Sequence, residues 1–429
     1  MIRLLTAGAA RFLLLGVCAL GFAGPVSADV LDDPDPDFSL QDTLAAGPFH
    51  VAPFFYLRDV GYDDNVRLGT DDKQGDYSLT IGPGARAVMP MGRRAALALW
   101  DELDYVMYAT QTDLNSVNNT LKAKGHLYLG HLTPYLEGEQ YNLRQRPNFE
   151  IDFRIRDITT EGRLGARYKP EGRLAFDVAV VSTDYHYELG NIDIPDGVGG
   201  DAEGIAKSAL TSIRRLERTE TGGRLGARLK IRPRTTLLMN VEREDVDFQY
   251  LTSTASRDSL AHSGMLGLEF DPSGSFRGYL KLGVKDLNPD SPKLEGFHGP
   301  IADMEVSLRV LGRGDIRAGY RRNTGFSTLG DNLYYILDRK GLGYEHYVTG
   351  RLSLGAEYAL NELDYPVDLE GQIPPHRKDD VVESRLTVKY RFGPSLRVGL
   401  AFSRWDRDST IDSEDEDRNT ITTLLEYTP

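Results

Sequence analysis

Residues 382–392 have the sequence VESRLTVKYRF, in which apolar and polar side chains alternate one by one. A β-strand places successive side chains on opposite faces, so the apolar residues share one face and the charged residues share the other. Gly393, Pro394 and Ser395 then give a turn signal, and residues 396–403 repeat the alternation. The same period of two recurs along the chain after Gly47 and predicts strands with one apolar and one charged face.

The spacing of the breaks between these strands predicts how they are connected. Eight short breaks occur at residues 90–92, 131–134, 169–172, 232–234, 271–274, 311–315, 347–350 and 393–395. Nine longer polar stretches occur near 59–76, 109–119, 146–153, 188–217, 251–259, 287–301, 324–332, 366–379 and 406–418. Short and long connections alternate strictly, which is typical of outer-membrane barrels with short periplasmic turns and long external loops. We therefore predict an all-β, antiparallel up-and-down transmembrane barrel of about 18 strands.

The first 28 residues have the pattern of a cleaved secretory signal peptide. Arg3 and Arg11 carry the only charges before Asp29, and the apolar run from Phe12 to Phe22 follows them. Val26-Ser27-Ala28 then offers small residues for cleavage. We predict a signal peptide over 1–28, a periplasmic N-terminal segment over 29–47 and a barrel over 48–429, placed in the outer membrane of a Gram-negative cell. Cleavage would remove the sole cysteine, Cys18, and with it any disulfide or thiol chemistry.

Composition and motifs argue against several other functions. The formal net charge of −14 disfavours nucleic-acid binding, and no HExxH or GxSxG motif is present. His262 and Ser263 are neighbours on one predicted strand and would face opposite sides, so they cannot form a hydrolytic pair. Acidic clusters at 63–64, 71–72, 378–380 and 412–417 lack EF-hand spacing. We expect no enzyme activity, no cofactor and no metal site. For residues 412–417, the alternatives are a calcium site and the bridging of lipopolysaccharide through divalent ions.

The charged face of the predicted strands supplies candidate pore-lining residues, which are Arg228, Lys230, Arg309, Arg317, Arg321, Lys389, Arg397, Glu357 and Glu383. One interpretation is an anion-selective pore or a track for an acidic glycan, because arginine binds carboxylates through two parallel hydrogen bonds. The other is a ladder of ion pairs between neighbouring strands, with Glu102, Asp104, Glu242, Glu244, Glu357 and Glu383 as partners. The sequence leaves both interpretations open.

Two further features bear on the lumen and on its lipid boundary. The long stretch 188–217 has a helical pattern over 201–217, and this helix either folds into the barrel and constricts it or lies outside over the rim. Aromatic residues near strand ends are expected to form the interface girdles of a barrel. The candidates are Trp100, Tyr105, Tyr108, Tyr320, Tyr334, Tyr335 and Trp405.

Residues 54–66, FFYLRDVGYDDNV, carry a resemblance to a known family. An aromatic strand that ends in Tyr62, Asp63, Asp64, Asn65 and Val66 resembles the outer-membrane porin family called β-barrel porin type 2. The resemblance covers most of the chain after the signal peptide by architecture, and its sharp part is the five-residue motif. It implies an outer-membrane channel for exopolysaccharide export and supplies no catalytic residues. From the residue types alone, the motif would form Asx-type turns that fix the rim.

Alternatives to export are a general or anion-preferring solute porin, a structural or adhesive surface barrel, and a membrane hydrolase. Expected partners are outer-membrane lipid and lipopolysaccharide and the barrel-assembly machinery. The C-terminal segment Thr420–Pro429 resembles the strand that this machinery recognises, but Thr428 and Pro429 follow Tyr427 where the usual form ends on an aromatic residue. The resemblance to the porin family adds periplasmic polysaccharide-export components to these partners.

Overall fold

The computed structural model describes residues 35–40, 43–67, 69, 73–151, 153–170, 172–188, 211–250, 256–270, 273–329, 332–367, 376–411 and 414–427. The strands in these residues are β1 Leu44–Ala46, β2 Phe49–Asp63, β3 Asp76–Met91, β4 Ala95–Tyr108, β5 Ser116–Leu127, β6 Leu132–Gln145, β7 Ile155–Tyr168, β8 Leu174–Glu188, β9 Arg218–Arg232, β10 Thr235–Phe248, β11 Ser259–Phe270, β12 Phe276–Pro289, β13 Phe297–Val310, β14 Gly314–Phe326, β15 Tyr334–Tyr347, β16 Leu352–Asp364, β17 Lys378–Arg391, β18 Leu396–Ser409 and β19 Glu416–Tyr427. Short 3-10 turns cover Pro36–Phe38 and Thr112–Leu114. In this part of the chain, no helix has the length and apolar character needed to cross a membrane.

The strands β2–β19 form one closed barrel. Each is antiparallel to its neighbours in chain order, and β19 pairs with β2 through contacts from Thr420↔Asp63 to Tyr427↔Phe55. Closure pairs every strand edge, which a chain in lipid requires because no water is present to satisfy backbone groups. The predicted barrel of about 18 strands is confirmed for the described residues, where eighteen strands close on themselves.

The connections alternate in length as predicted, and they define the two ends of the barrel. Eight connections are short, such as the three residues between β13 and β14, and these mark the short-turn end. The other nine, such as that between β16 and β17, mark the long-loop end. The short strand β1 pairs with Phe49, His50 and Val51 of β2 at the short-turn end, beyond the last residue of β19.

Alternation sorts the side chains into an outer and an inner face. Leucines such as Leu225, Leu342 and Leu386 are about 60% exposed on the outer face, where water-soluble proteins would bury them. In a bilayer the hydrocarbon chains cover this face, so its exposure is the expected state. Charged side chains at the alternate positions, such as Arg339 and Arg385, point into the barrel, whereas Lys340, on the long-loop side of Leu342, shares the outer face of that residue.

Of the seven aromatic residues expected in the interface girdles, Tyr105 and Tyr320 lie on the outer wall, and the other five do not. Tyr105 is exposed on the outer wall, but Tyr108, Tyr334 and Tyr335 are buried. Trp100 stacks on Phe54 of the inner face at a ring distance of 4.7 Å. Trp405 also faces inward, where it lines an internal cavity. Strand alternation and the packing of the loops determine which way these rings point, and nearness to a strand end does not.

Candidate functional site

The inner faces of β13–β19 line an open cavity of about 490 Å³ on the inner wall of the barrel. Its lining includes Arg317, Arg339 and Arg385 together with Glu357, Glu383 and the indole of Trp405. These side chains come from inward positions of neighbouring strands, so the cavity follows from the alternation of each strand. Both signs of charge and one aromatic ring face the same space.

Most of the cationic pore-lining candidates lie beside carboxylates. Arg317 lies 2.9 Å from Glu345 and 3.7 Å from Glu357, and Lys389 lies 3.6 Å from Glu345. The other pairs are Arg228 with Glu269, Arg309 with Asp315 at 3.2 Å, Arg321 with Asp303 at 3.7 Å, and Arg397 with Glu426 at 3.3 Å. Among the described residues, Lys230 has no carboxylate at salt-bridge distance. Such pairing largely cancels the charge of each partner, which favours the ladder interpretation for these positions.

Acidic candidates take part in the same ladder. Glu383 lies 3.2 Å from Arg339, whose guanidinium also donates to the amide oxygen of Asn361 at 2.9 Å. Of the further partners expected from the sequence, Glu242 pairs with Arg224, and Asp104 pairs with Arg58. By contrast, Arg385 has no carboxylate at salt-bridge distance in the described part of the chain. It is exposed to the cavity and is the cation there that is best placed to meet a solute.

The connection between β6 and β7, residues 146–154, crosses the long-loop end of the barrel. Its residues bind the wall formed by β18 and β19, since Arg146 Nη1 lies 3.3 Å from Glu416. The Arg146 guanidinium also lies 4.8 Å from the centre of the Trp405 ring. From the wall, the fully buried Arg407 of β18 donates to the backbone carbonyl of Phe149 in the loop at 2.8 Å. This loop therefore spans part of the mouth and narrows it.

Glu150 anchors the tip of this loop to the connection between β14 and β15. Its carboxylate accepts a hydrogen bond from Ser327 Oγ at 2.6 Å and another from the backbone N–H of Thr328 at 2.5 Å. Burial raises the pKa of the Glu150 carboxyl, and the hydrogen bonds from Ser327 and Thr328 oppose that shift. The contact joins two connections from nearly opposite sides of the barrel.

Arg257, just before β11, completes this junction. Its guanidinium donates to the backbone carbonyls of Ser327 at 2.6 Å and Leu333 at 3.2 Å. Burial, together with the nearby positive charge of Arg215, lowers the pKa of Arg257 to about 10. Among the described residues no carboxylate lies at salt-bridge distance from Arg257, so backbone oxygens are its partners. The junction is thus a packed, polar constriction at the long-loop end.

The described end of the connection between β8 and β9 also lies inside the mouth. Ile213 and Leu216 are buried against Ile151 and Ile155. Arg215 donates to the carbonyl of Thr328 across the barrel at 2.8 Å. Residues 211–217 therefore take part in the constriction, while 189–210 of the predicted loop and helix lie outside the described residues.

The Tyr62–Val66 motif lies at the seam where the first and last barrel strands meet. Asp63 accepts hydrogen bonds from Arg418 of β19, at 2.9 and 3.0 Å from Nε. Asp64 accepts the backbone N–H of Asn419 at 2.7 Å, and the Asn65 N–H donates to Asp63 Oδ1 at 3.1 Å in an Asx-type turn. In the same motif, Tyr62 packs on Tyr77 on the outer wall, and Val66 is buried. These contacts tie the two ends of the barrel together at the rim.

The sequence analysis missed the residues that narrow the mouth. It treated 146–153 as a polar external stretch, although Phe149, Ile151 and Phe153 alternate within it. In the structure, Phe149 and Ile151 belong to buried clusters at the mouth. Apolar residues within a loop need a surface to cover them, and that signal could have revealed an inward fold.

One group of described residues combines side chains of the types that bind metals. Asp35, His126 and Glu137 bring ligand atoms within 4.8 Å of one another near the short-turn end. Lys124 already lies 3.0 Å from Asp35, and Arg163 lies 2.9 Å from Glu137. These cations satisfy the two carboxylates, so we interpret the group as part of an ion-pair network. The acidic residues 71–72 and 412–413 lie outside the described residues.

Comparison with known proteins gives both a family and a fold. The sequence model of the family described as Putative beta-barrel porin 2 matches residues 43–426. No curated protein sequence matches the chain. Among solved structures, OccK2 (OpdF) of Pseudomonas aeruginosa has a TM-score of 0.50 at 12% identity, with 88% of this chain and 98% of that chain covered. OccK9 (OpdG) of the same organism has a TM-score of 0.49 at 14% identity, with the same coverage.

The family match spans the whole barrel, and the similarity to OccK2 supports the fold alone. The family match and the closed barrel give the expected family and the expected membrane. The chain belongs to the Putative beta-barrel porin 2 family and is an outer-membrane porin.

Proposed function

We propose that this porin passes small polar solutes through a lumen whose outer end is constricted by inward-folded loops. The observation that carries the proposal is the junction of Glu150, Ser327 and Arg257, which joins connections from opposite walls of the mouth. A passage bounded by such contacts suits small solutes better than a polymer. The cavity beyond it has inward charges of both signs, which can hydrate and orient polar solutes.

Within this proposal, a preference for anions rests on Arg385. Neighbouring carboxylates lie at salt-bridge distance from most lumen cations. Arg385 makes no such contact, although Glu357 lies opposite it on β16, so its guanidinium contributes more to selectivity than its paired neighbours. This is the anion-preferring form of the solute porin.

Export of an exopolysaccharide is the second candidate, and a line of arginines favours it. Arg397 near the short-turn end, Arg385 in the middle and Arg418 at the long-loop end lie on the three adjacent strands β17–β19. An acidic glycan can bind Arg385 of this line through a carboxylate, whereas at Arg397 and Arg418 it must displace Glu426 and Asp63. Passage of a polymer would require the loops at the mouth to move aside, so this candidate depends on a conformational change.

Planar-bilayer recording tests the constriction directly. The purified porin should give small conductance steps, and replacing 147–151 with a Gly-Ser segment of equal length should enlarge them. The matched control replaces the residues 291–293 in the connection between β12 and β13, and its steps should equal those of the natural protein. Equal steps in all three proteins would show that the crossing loop does not limit passage.

Deletion of the gene, with assays of surface polysaccharide and of small-solute uptake, separates the two candidates. Slower uptake with normal surface polysaccharide supports the solute porin. Loss of surface polysaccharide with normal uptake supports export. Unchanged results in both assays, together with silence in bilayers, would leave a structural or adhesive barrel.

A further inference from the structure

A short part of the predicted N-terminal segment 29–47 lies against the inner wall of the barrel. We call residues 35–40 the N-terminal strap. Phe38 of the strap is 2% exposed and belongs to a buried cluster with Val88, Ala96, Ala98 and Tyr128. These wall residues come from inward positions of β3 and β4 and from the end of β5, close to the short-turn end. The strap therefore covers the inner wall.

Electrostatic contacts hold the strap at the residues just before Phe38. Lys124 of β5 places Nζ 3.0 Å from Asp35 and 2.6 Å from Asp37, so one cation binds both strap carboxylates. The ring of His126, the next inward residue of β5, lies 4.4 Å from the ring of Phe38. Within the strap, the backbone N–H of Phe38 donates to the carbonyl of Asp35 at 3.1 Å, which closes the 3-10 turn. Strap and wall match in both shape and charge.

The wall beneath the strap differs from the rest of the inner face. Val88, Ala96 and Ala98 are small and apolar, whereas most inward positions elsewhere are charged or polar. A water-filled lumen would hydrate this apolar recess if the strap left it, and apolar hydration is unfavourable. The recess has the size and chemistry to accept one aromatic ring beside a lysine.

We propose that the N-terminal strap is an intramolecular plug that narrows the short-turn half of the lumen and limits conductance while it is docked. This inference rests on the proposed channel function. It adds a second constriction to the one at the long-loop end, formed by different residues. Release of the strap should widen the lumen without altering the barrel wall, because the strap contributes no strand to the barrel.

Charge reversal at Lys124 tests the plug. K124E should repel Asp35 and Asp37 and shift docking toward the released state by roughly 10- to 100-fold, the range expected for loss of charge-assisted hydrogen bonds. Hydrogen exchange at strap amides should accelerate, and single-channel conductance should rise. The matched control is K122E, which makes the same charge change two residues away, where Lys122 pairs with Glu139. A triple variant, D35K/D37K/K124E, should restore slow exchange and low conductance.

The outcomes separate failure of the plug from failure of the channel. If K124E releases the strap by hydrogen exchange but conductance equals that of K122E, the plug is refuted and the channel function survives. If neither natural protein nor K124E conducts although both are folded, the channel and the plug fall together. If strap amides exchange at the same rate in natural protein and K124E, the proposed docking contacts are wrong. Conductance that rises in K124E and returns in the triple variant supports the plug.

Discussion

Replacing Asp63 with asparagine should destabilise the barrel at its seam. Asp63 is 3% exposed, and its carboxylate accepts hydrogen bonds from Nε and Nη2 of Arg418 on the last strand. Arg154 lies 3.7 Å away and contributes a second cation. D63N removes this negative charge, so the guanidinium groups of Arg418 and Arg154 lose their carboxylate partner. The loss falls in the pairing of β2 with β19, which closes the barrel.

The magnitude follows from burial. Breaking a fully buried ion pair by removing one partner costs ~3–5 kcal/mol. Because the Arg418 side chain is 29% exposed, water recovers part of that loss, and we expect about 2 kcal/mol. A loss of about 2 kcal/mol lowers the ratio of folded to unfolded protein by roughly 30-fold.

The assay is guanidinium unfolding of the porin in lipid vesicles, followed by the fluorescence of its two tryptophans. D59N is the matched control, because Asp59 lies in the same strand with 56% of its side chain exposed. Asn tolerates its positive φ of 53°, so D59N should change stability by less than about 0.5 kcal/mol. A midpoint for D63N equal to that of D59N would refute the role of the pair. The double variant D63N/R418Q should lose less than the sum of its two single variants, and strict additivity would count against coupling.

Three other predictions concern the lumen and the seam. Burial raises the pKa of Glu150 when the connection between β6 and β7 is docked at the mouth, so the docked state binds a proton more tightly than the undocked state. Docking should therefore weaken, and conductance should rise, as pH increases from 4.5 through the raised pKa, whereas the conductance of E150Q should not change with pH over that range. R385Q should reduce the anion preference measured by reversal potentials, and R228Q should reduce it less because Arg228 is already paired with a glutamate; equal shifts would contradict the proposed role of Arg385. A Cβ on Gly61 would overlap the carbonyl of Ile421 in β19, so G61A should destabilise the closed barrel by roughly 1–3 kcal/mol or impair its assembly, and an unfolding midpoint equal to that of the natural protein would contradict this close approach.

The sequence alone determined the barrel. Alternation between apolar and charged residues is a local pattern, and its meaning depends only on the geometry of one strand. The lengths of connections are also local, so their alternation predicted both the number of strands and the two ends. The Tyr62–Val66 motif pointed to the family because its five residues are contiguous.

Only the tertiary structure decided what occupies the interior. Ser327 and Glu150 are 177 residues apart in sequence, and no local pattern pairs them. The carboxylate that accompanies each lumen arginine depends on strand register, which fixes neighbours across the sheet. Phe38 gave a weak signal as one aromatic residue in an acidic segment, and its recess is assembled from residues between Val88 and Tyr128, 50 to 90 positions later in the chain. The strands could be predicted because their geometry depends on residues adjacent in sequence. The residues that fill the lumen could not, because their contacts join parts of the chain that are distant in sequence.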